Sequence, residues 1–272
     1  MTFLLHTCPM FHHPTPLRTQ KVSDRGTRRD LNPLFFLGAS LRSAAAFPRH
    51  ALPLAGRTVV NQVRFTAVHA LPILVVASLA FGVPLVLAVA PLTSGLGLGE
   101  TVDRVLVTLV VQELGPVVAA LLVVVRSGTA VVAELATARI TGEREALEGL
   151  GVDTLQYYLL PRVVAFAVSV ALLAVFFDAI VLGALALGRA RAGEGEAFAA
   201  LVRGTVGSAD IGLTLLKGLV MGTGVVAFPA MEGLEAGDDP THIPVAVSRG
   251  TLQAFLWVLF ASAGFAALRF VA

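Results

Sequence analysis

Long apolar runs separated by short polar segments dominate the chain from residue 67 onwards. Five runs are long enough to cross a bilayer as helices, at about 67–91, 104–126, 158–187, 211–231 and 251–271. A β-barrel would alternate apolar and polar residues, and the run 105–125 shows no such alternation. Backbone groups find no water in a bilayer core, so runs of this kind form helices. The pattern predicts an all-α integral membrane protein.

The residues before these runs differ in character. Residues 1–32 mix histidine, proline and basic residues with little apolar periodicity, which predicts disorder. A metal site built from its histidines and Cys8 is the less favoured alternative, and no metal is predicted. The segment 33–50 is apolar but contains Arg42 and Arg49, which predicts a helix lying in the membrane interface. We therefore expect residues 33–272 to form one membrane domain.

Composition and charge set the class and the orientation. The chain is 56% hydrophobic and 14% charged, with a mean hydropathy of +0.82, which excludes an ordinary soluble globule. Basic residues greatly outnumber Asp24 and Asp30 before the first run, so the N-terminus is predicted to be cytoplasmic. Five crossings then place the connections 127–157 and 232–250 in the cytoplasm. The expected location is the inner or plasma membrane.

A few charged residues fall inside or beside the runs. Glu113 and Lys217 have similar predicted depths, so an ion pair between them is one interpretation. The alternative is that Glu113 is protonated and that Lys217 reaches the interface separately. Asp178 is expected near the outer surface, as an interfacial residue rather than a proton relay. Arg126 and Glu134 are expected to pair with other charges at the inner boundary.

Small residues recur in the fourth run. Gly218 and Gly222 have the spacing that lets two helices approach closely. Tight packing is the first interpretation of this pattern. Helix kinks that shape a lipid-accessible cavity are the second.

Between the second and third runs lies an amphipathic segment, 136–156. Its part from Arg139 to Asp153 alternates charged residues with apolar ones such as Leu147 and Leu150, as a short surface helix does. A helix of this kind between two spans predicts a contact with a partner in the aqueous phase.

Motifs for catalysis are missing from the sequence. Neither Lys21 nor Lys217 has the glycine framing of a phosphate-binding loop, and no H-E-x-x-H or G-x-S-x-G motif occurs. The single cysteine allows no intrachain disulfide. We predict no enzymatic activity, no cofactor and no nucleic-acid partner.

An ordered set of motifs across residues 113–162 resembles the MlaE/YrbE family of ABC-transporter permeases. The motifs are Glu113-Leu-Gly-Pro116, Arg126-Ser-Gly128-Thr-Ala130, Ala133-Glu134-Leu135-Ala136-Thr137, Glu145-Ala146-Leu147, Gly151 and Tyr158-Leu-Leu-Pro161-Arg162. A weaker likeness extends from about Pro33 to the C-terminus and includes Asp210 and Lys217.

This resemblance implies a homodimeric permease that sits on two copies of a separate ATPase, joins an MCE-domain protein and moves lipid. It implies a lipid pocket with Glu113 and Lys217 as candidates. It also implies a cytoplasmic coupling helix that contacts the ATPase through Arg139, Glu145, Ala146, Leu147, Leu150 and Gly151.

Two other classes remain as alternatives. A self-contained secondary transporter or channel would use Glu113 as a protonation site. A membrane enzyme acting on lipids is less favoured, because no nucleophile, metal set or acid and base pair converges in the sequence.

Overall fold

The computed structural model describes residues 59–96, 99–149, 159–237 and 239–271, and all regular structure in these ranges is helical. The helices are α1 (His69–Leu96), α2 (Gly99–Leu109), α3 (Gly115–Val123), α4 (Thr129–Ile140), α5 (Glu143–Gly149), α6 (Leu160–Arg191), α7 (Gly195–Thr205), α8 (Ser208–Glu235) and α9 (Ile243–Val271). A π-helical turn, Arg64–Val68, precedes α1, and a 3-10 turn, Pro240–His242, precedes α9. The predicted disordered segment 1–32 and interfacial helix 33–50 lie outside the described residues.

Five helical stretches of the described residues are long and apolar enough to cross a membrane. They are Val59–Ala88, Gly99–Ile140, Pro161–Arg191, Ser208–Glu235 and Pro240–Arg269. Each overlaps one predicted run, which confirms the all-α integral membrane fold. Most extend beyond the predicted bounds because hydropathy marks the part of a helix in lipid, whereas the helix continues into polar surroundings.

The second stretch is far longer than a bilayer requires. Its 42 residues span about 63 Å, roughly twice the thickness of a hydrocarbon core. The helix continues to Ile140, so the first part of the predicted connection 127–157 is helical. Helix α4 persists there because it buries Val132, Leu135 and Ala136 against α8 and α9.

Helix α8 lies at the centre of the bundle. It packs on α6 and α9 along most of its length and also contacts α3 and α4, while α1 packs on α6. A β-carbon added to Gly218 would lie 2.7 Å from the Ala171 Cα, and one on Gly222 would lie 2.6 Å from the Ala167 Cα. The glycine spacing therefore serves close helix packing, as the first interpretation predicted.

A methyl group at Gly222 is expected to destabilise the bundle. The Gly222→Ala variant must push α6 away from α8, which costs about 1–3 kcal/mol for overpacking. Gly212→Ala is a matched control on the same helix, since nothing lies within 4 Å of its added β-carbon. Thermal unfolding of both purified variants should lower Tm by roughly 3–8 °C for Gly222→Ala alone. Equal Tm values for the two variants would contradict the packing assignment.

The two ends of the bundle are named here by the residues that they hold. The connection end contains Ile140, Leu160 and Glu235, and the far end contains Gly99 and Arg191.

A buried ion-pair group stabilises the far end. Arg189 Nη2 pairs with Asp103, and Arg189 Nη1 donates to the Glu194 carboxylate at 3.0 Å. Arg189 lies in the last turn of α6, which continues to Arg191. The two carboxylates offset the cost of burying its charge.

Candidate functional site

The second stretch is interrupted in its first half by a π-helical turn, Val110–Leu114, between α2 and α3. The Gly115 N–H donates to the Val110 carbonyl, five residues back instead of four. Pro116 follows and has no N–H to offer the preceding turn. Carbonyls just before the proline therefore need donors from outside their own helix.

Side chains from α8 supply those donors. The Thr214 hydroxyl donates to the Val111 carbonyl at 2.9 Å, and Lys217 Nζ donates to the Gln112 carbonyl at 3.0 Å. Thr214 and Lys217 are 2% and 1% exposed. The π-helical turn Val110–Leu114, called the break below, is thus hydrogen-bonded by polar side chains of α8.

An ion pair lies at this break. Lys217 Nζ is 2.6 Å from Glu113 Oε2, and the same oxygen accepts a hydrogen bond of 2.9 Å from the Ser262 hydroxyl on α9. The Lys217 side chain is 2% exposed, whereas 33% of the Glu113 side chain is exposed. The lysine is therefore fixed inside the bundle, and the carboxylate faces the bundle surface.

A second acid joins the site to the start of α8. Asp210 Oδ2 accepts from the Gly207 N–H at 3.0 Å, which caps the helix, and Asp210 Oδ1 accepts from Gln112 Nε2 at 2.6 Å. A carboxylate in the first turn also interacts favourably with the helix dipole. Gln112 Oε1 is buried and has no hydrogen-bond partner among the described residues.

The predicted proximity of Glu113 and Lys217 is confirmed, and the structure shows the ion pair rather than two separately satisfied charges. Gln112, Thr214 and Ser262 were not predicted. A signal existed for Thr214, which lies three residues before Lys217 and therefore on the same helix face. Ser262 gave no signal, because its position depends on how α9 packs.

The expectation that Asp178 is an interfacial residue is wrong. Asp178 is 7% exposed, and a β-carbon on Gly115 would lie 2.0 Å from its Oδ1. Helix α6 continues for 13 residues beyond it to Arg191, which is about 20 Å. Asp178 therefore packs directly against Gly115, next to the turn that carries Glu113, and its Oδ1 has no hydrogen-bond partner among the described residues.

The two charges expected to pair at the inner boundary behave differently. Glu134 forms an ion pair with Arg162, the second residue of the third stretch. Arg126 forms no ion pair with the described residues, and its guanidinium carbon lies 6.0 Å from the centre of the Phe65 ring.

The coupling candidates divide between two helices. Arg139 lies in the last turn of α4, and its Nη1 donates to the Leu234 carbonyl of α8 at 2.7 Å. Gly142, with φ 74°, ends α4 and allows the turn into α5. Ala146 on α5 is exposed and Leu147 is half-buried.

The remaining candidates are only partly visible. The backbone of Glu145 is part of α5, but its side chain is not among those that the structure describes. Leu150 and Gly151 lie outside the described residues. The contact of this region with an ATPase stays a prediction.

Comparison with known proteins agrees with this architecture. A probable ABC transporter permease protein of Rickettsia felis is 32% identical over 128 residues, 47% of this chain and 49% of the relative. The intermembrane phospholipid transport system permease protein MlaE of Haemophilus influenzae is 30% identical over 122 residues, 45% of this chain and 47% of the relative. The chloroplastic protein TRIGALACTOSYLDIACYLGLYCEROL 1 of Arabidopsis thaliana is 29% identical over 109 residues, which are 40% of this chain and 31% of the relative.

These alignments span about half the length of the bacterial relatives. The match to the family itself covers more, since residues 59–268 correspond to the family described as Permease MlaE. That range contains both the break in the second stretch and the helices that surround it. The chain therefore belongs to the MlaE permease family.

Proposed function

We propose that the chain is the membrane subunit of an ABC transporter that moves a phospholipid or a related hydrophobic molecule. A separate ATPase drives the movement, and an MCE-domain protein exchanges the lipid. The name of the Haemophilus influenzae relative, a phospholipid transport permease, supports this substrate class.

The observation that carries the proposal is the Glu113–Lys217 pair at the break. A lipid site needs polar groups for the headgroup beside an apolar path for the tails. The Glu113 side chain is one-third exposed. Exposed apolar side chains of α9, including Leu259 and Phe260, lie on the same helix as Ser262. Together these groups provide a headgroup site next to an apolar surface.

Helix α5 is proposed to receive the motion of the ATPase. It joins the long second stretch to α6 and presents exposed Ala146 with half-buried Leu147. Apolar side chains on a short helix suit a groove on a partner protein. Arg139 links this region to α8 through the Leu234 carbonyl, so a displacement of α5 reaches the helix that carries Lys217.

A second copy of the chain is proposed to cover α9. Only 11% of the most apolar 18-residue segment of this helix is buried. Glu113 is held by Ser262 on α9, so a dimer through this helix would place the two polar sites near a common interface. The MCE-domain protein would join at the far end, with the N-terminus and α5 in the cytoplasm.

Reconstitution of the purified chain in vesicles tests the class of function. Fluorescent phospholipid should move only when the ATPase and ATP are present. The alternative, a proton-coupled secondary transporter, predicts movement by the chain alone, with a pH dependence that Glu113→Gln abolishes. Transport by the chain alone would overturn the permease proposal.

A further inference from the structure

Arg126 carries a charge that the transport site does not use. It lies in the π-helical turn Val124–Gly128 between α3 and α4, and its Nη1 is buried without a hydrogen-bond partner in the described part of the chain. The buried Arg162 and Arg189 each have a carboxylate partner, but Arg126 pairs with no carboxylate of the described residues. An unpaired guanidinium in a membrane helix is costly, and such residues commonly mark a binding site.

The ring that Arg126 contacts, Phe65, lies one helical turn from a side chain with an unpaired acceptor. Its guanidinium lies over Phe65, which is 61% exposed, and the ring of His69 is 5.1 Å from that of Phe65. Gln62, three residues before Phe65, has a buried Oε1 to which no described residue donates a hydrogen bond. Residues three apart share a helix face. Arg126 Nη1, beside the Phe65 ring, is thus a donor without a described acceptor, and Gln62 Oε1 on the Phe65 face of the helix is an acceptor without a described donor.

The level of this group in the membrane suits a lipid headgroup. The first stretch changes here from polar residues, such as Asn61 and Arg64, to the apolar sequence that begins at Ala70. Cationic and aromatic side chains concentrate at such boundaries. The neighbouring Val68 and Val125 are 51% and 66% exposed, so apolar surface for acyl chains adjoins the charge.

This site is separate from the Glu113–Lys217 pair. Arg126 follows Glu113 by 13 residues, or about 20 Å along the helix. It lies toward the connection end, whereas Lys217 lies nearer the start of α8 at the far end. One lipid molecule's headgroup cannot occupy both positions.

We propose that Arg126 binds the phosphate of a glycerophospholipid in the leaflet at the connection end. The planar guanidinium suits phosphate oxygens. A hydroxyl or ammonium group of the same headgroup donates to Gln62 Oε1, and the acyl chains lie on the exposed valines. The inference rests on the geometry of this boundary and does not require the proposed transport activity.

Native mass spectrometry of the purified full-length chain tests the site with four probes. These are phosphatidylglycerol, phosphatidylethanolamine, diacylglycerol without phosphate, and inorganic phosphate. Arg126→Gln should weaken phosphatidylglycerol binding about tenfold, as expected for loss of hydrogen bonds to a charged group, and Arg126→Lys should weaken it less. Arg269→Gln is the control, an exposed arginine near the far end, and should bind like the wild type.

The outcomes separate the proposal from its alternatives. Equal binding by Arg126→Gln and the wild type would overturn it, as would equal binding of diacylglycerol and phosphatidylglycerol. Saturable binding of inorganic phosphate that displaces the lipid would show a free-phosphate site instead. If Arg126→Gln does not fold, Arg126→Lys and Gln62→Leu replace it, and unchanged lipid affinity in both would count against the site.

Discussion

Replacement of Lys217 with methionine is expected to lower both the thermal stability of the chain and its content of bound lipid. Methionine keeps the volume of the buried side chain but leaves Glu113 and the Gln112 carbonyl without their donor. Breaking a buried pair by removing one partner costs several kcal/mol, here about 2–4 kcal/mol because Glu113 is partly exposed. Tm should fall by roughly 5–10 °C.

The lipid content is measured by mass spectrometry of extracts from the purified protein. Lys217→Met should retain about tenfold less phospholipid, since a charged hydrogen-bonding group is lost. Leu216→Met is a matched control, because Leu216 is on the same helix and 51% exposed. Wild-type Tm and lipid content in Lys217→Met would contradict a role for the pair.

A double variant separates stability from lipid binding. In Glu113→Gln with Lys217→Met, no charge of the pair remains without its partner, so much of the lost stability should return. Lipid content should stay low because the charged headgroup contacts are still missing. Recovery of both properties together would mean that Lys217 acts on lipid only through the fold.

Replacement of Leu147 with aspartate is expected to abolish co-purification of the chain with the proposed ATPase subunit. A carboxylate in an apolar docking contact must be desolvated without a partner, which costs far more than the contact supplies. Membrane insertion should be unaffected, since Leu147 is on α5, outside the candidate spans. Affinity purification of the tagged chain measures the amount of bound ATPase.

Two alanines provide the matched comparison for this experiment. Ala146 on α5 and Ala199 on α7 are both exposed and occupy short helices at opposite ends of the bundle. Ala146→Asp should also reduce bound ATPase, whereas Ala199→Asp should not. Normal co-purification of Leu147→Asp would remove α5 from the ATPase contact.

Much of the membrane architecture could be predicted from residue spacing alone. Apolar runs predict the spans, and the regular rise per residue of a helix predicts how deep in the membrane each side chain lies. That reasoning placed Glu113 near Lys217 before any contact was known. It succeeded because the helices that carry the two residues begin at the same end of the bundle.

The parts that could not be predicted depend on packing between distant segments. The hydropathy pattern predicts the end of a span near Arg126 and Glu134. The helix instead continues through α4 to Ile140, because α4 is buried against α8 and α9. The π-helical turns have no reliable sequence signal, although Pro116 marks one of them. Asp178 and Ser262 reach the site only through the arrangement of α6 and α9.

The central claim is that the Glu113–Lys217 pair lies on the path of a transported lipid. ATP-driven phospholipid transfer by the complex of chain and ATPase, reconstituted in vesicles, tests this most directly when the wild type is compared with the Glu113→Gln, Lys217→Met double variant. We predict that the double variant assembles with the ATPase, unfolds near the wild-type Tm and transfers lipid at least tenfold more slowly, as the loss of charged hydrogen bonds implies. Transfer at the wild-type rate by that stable, assembled variant would contradict the claim.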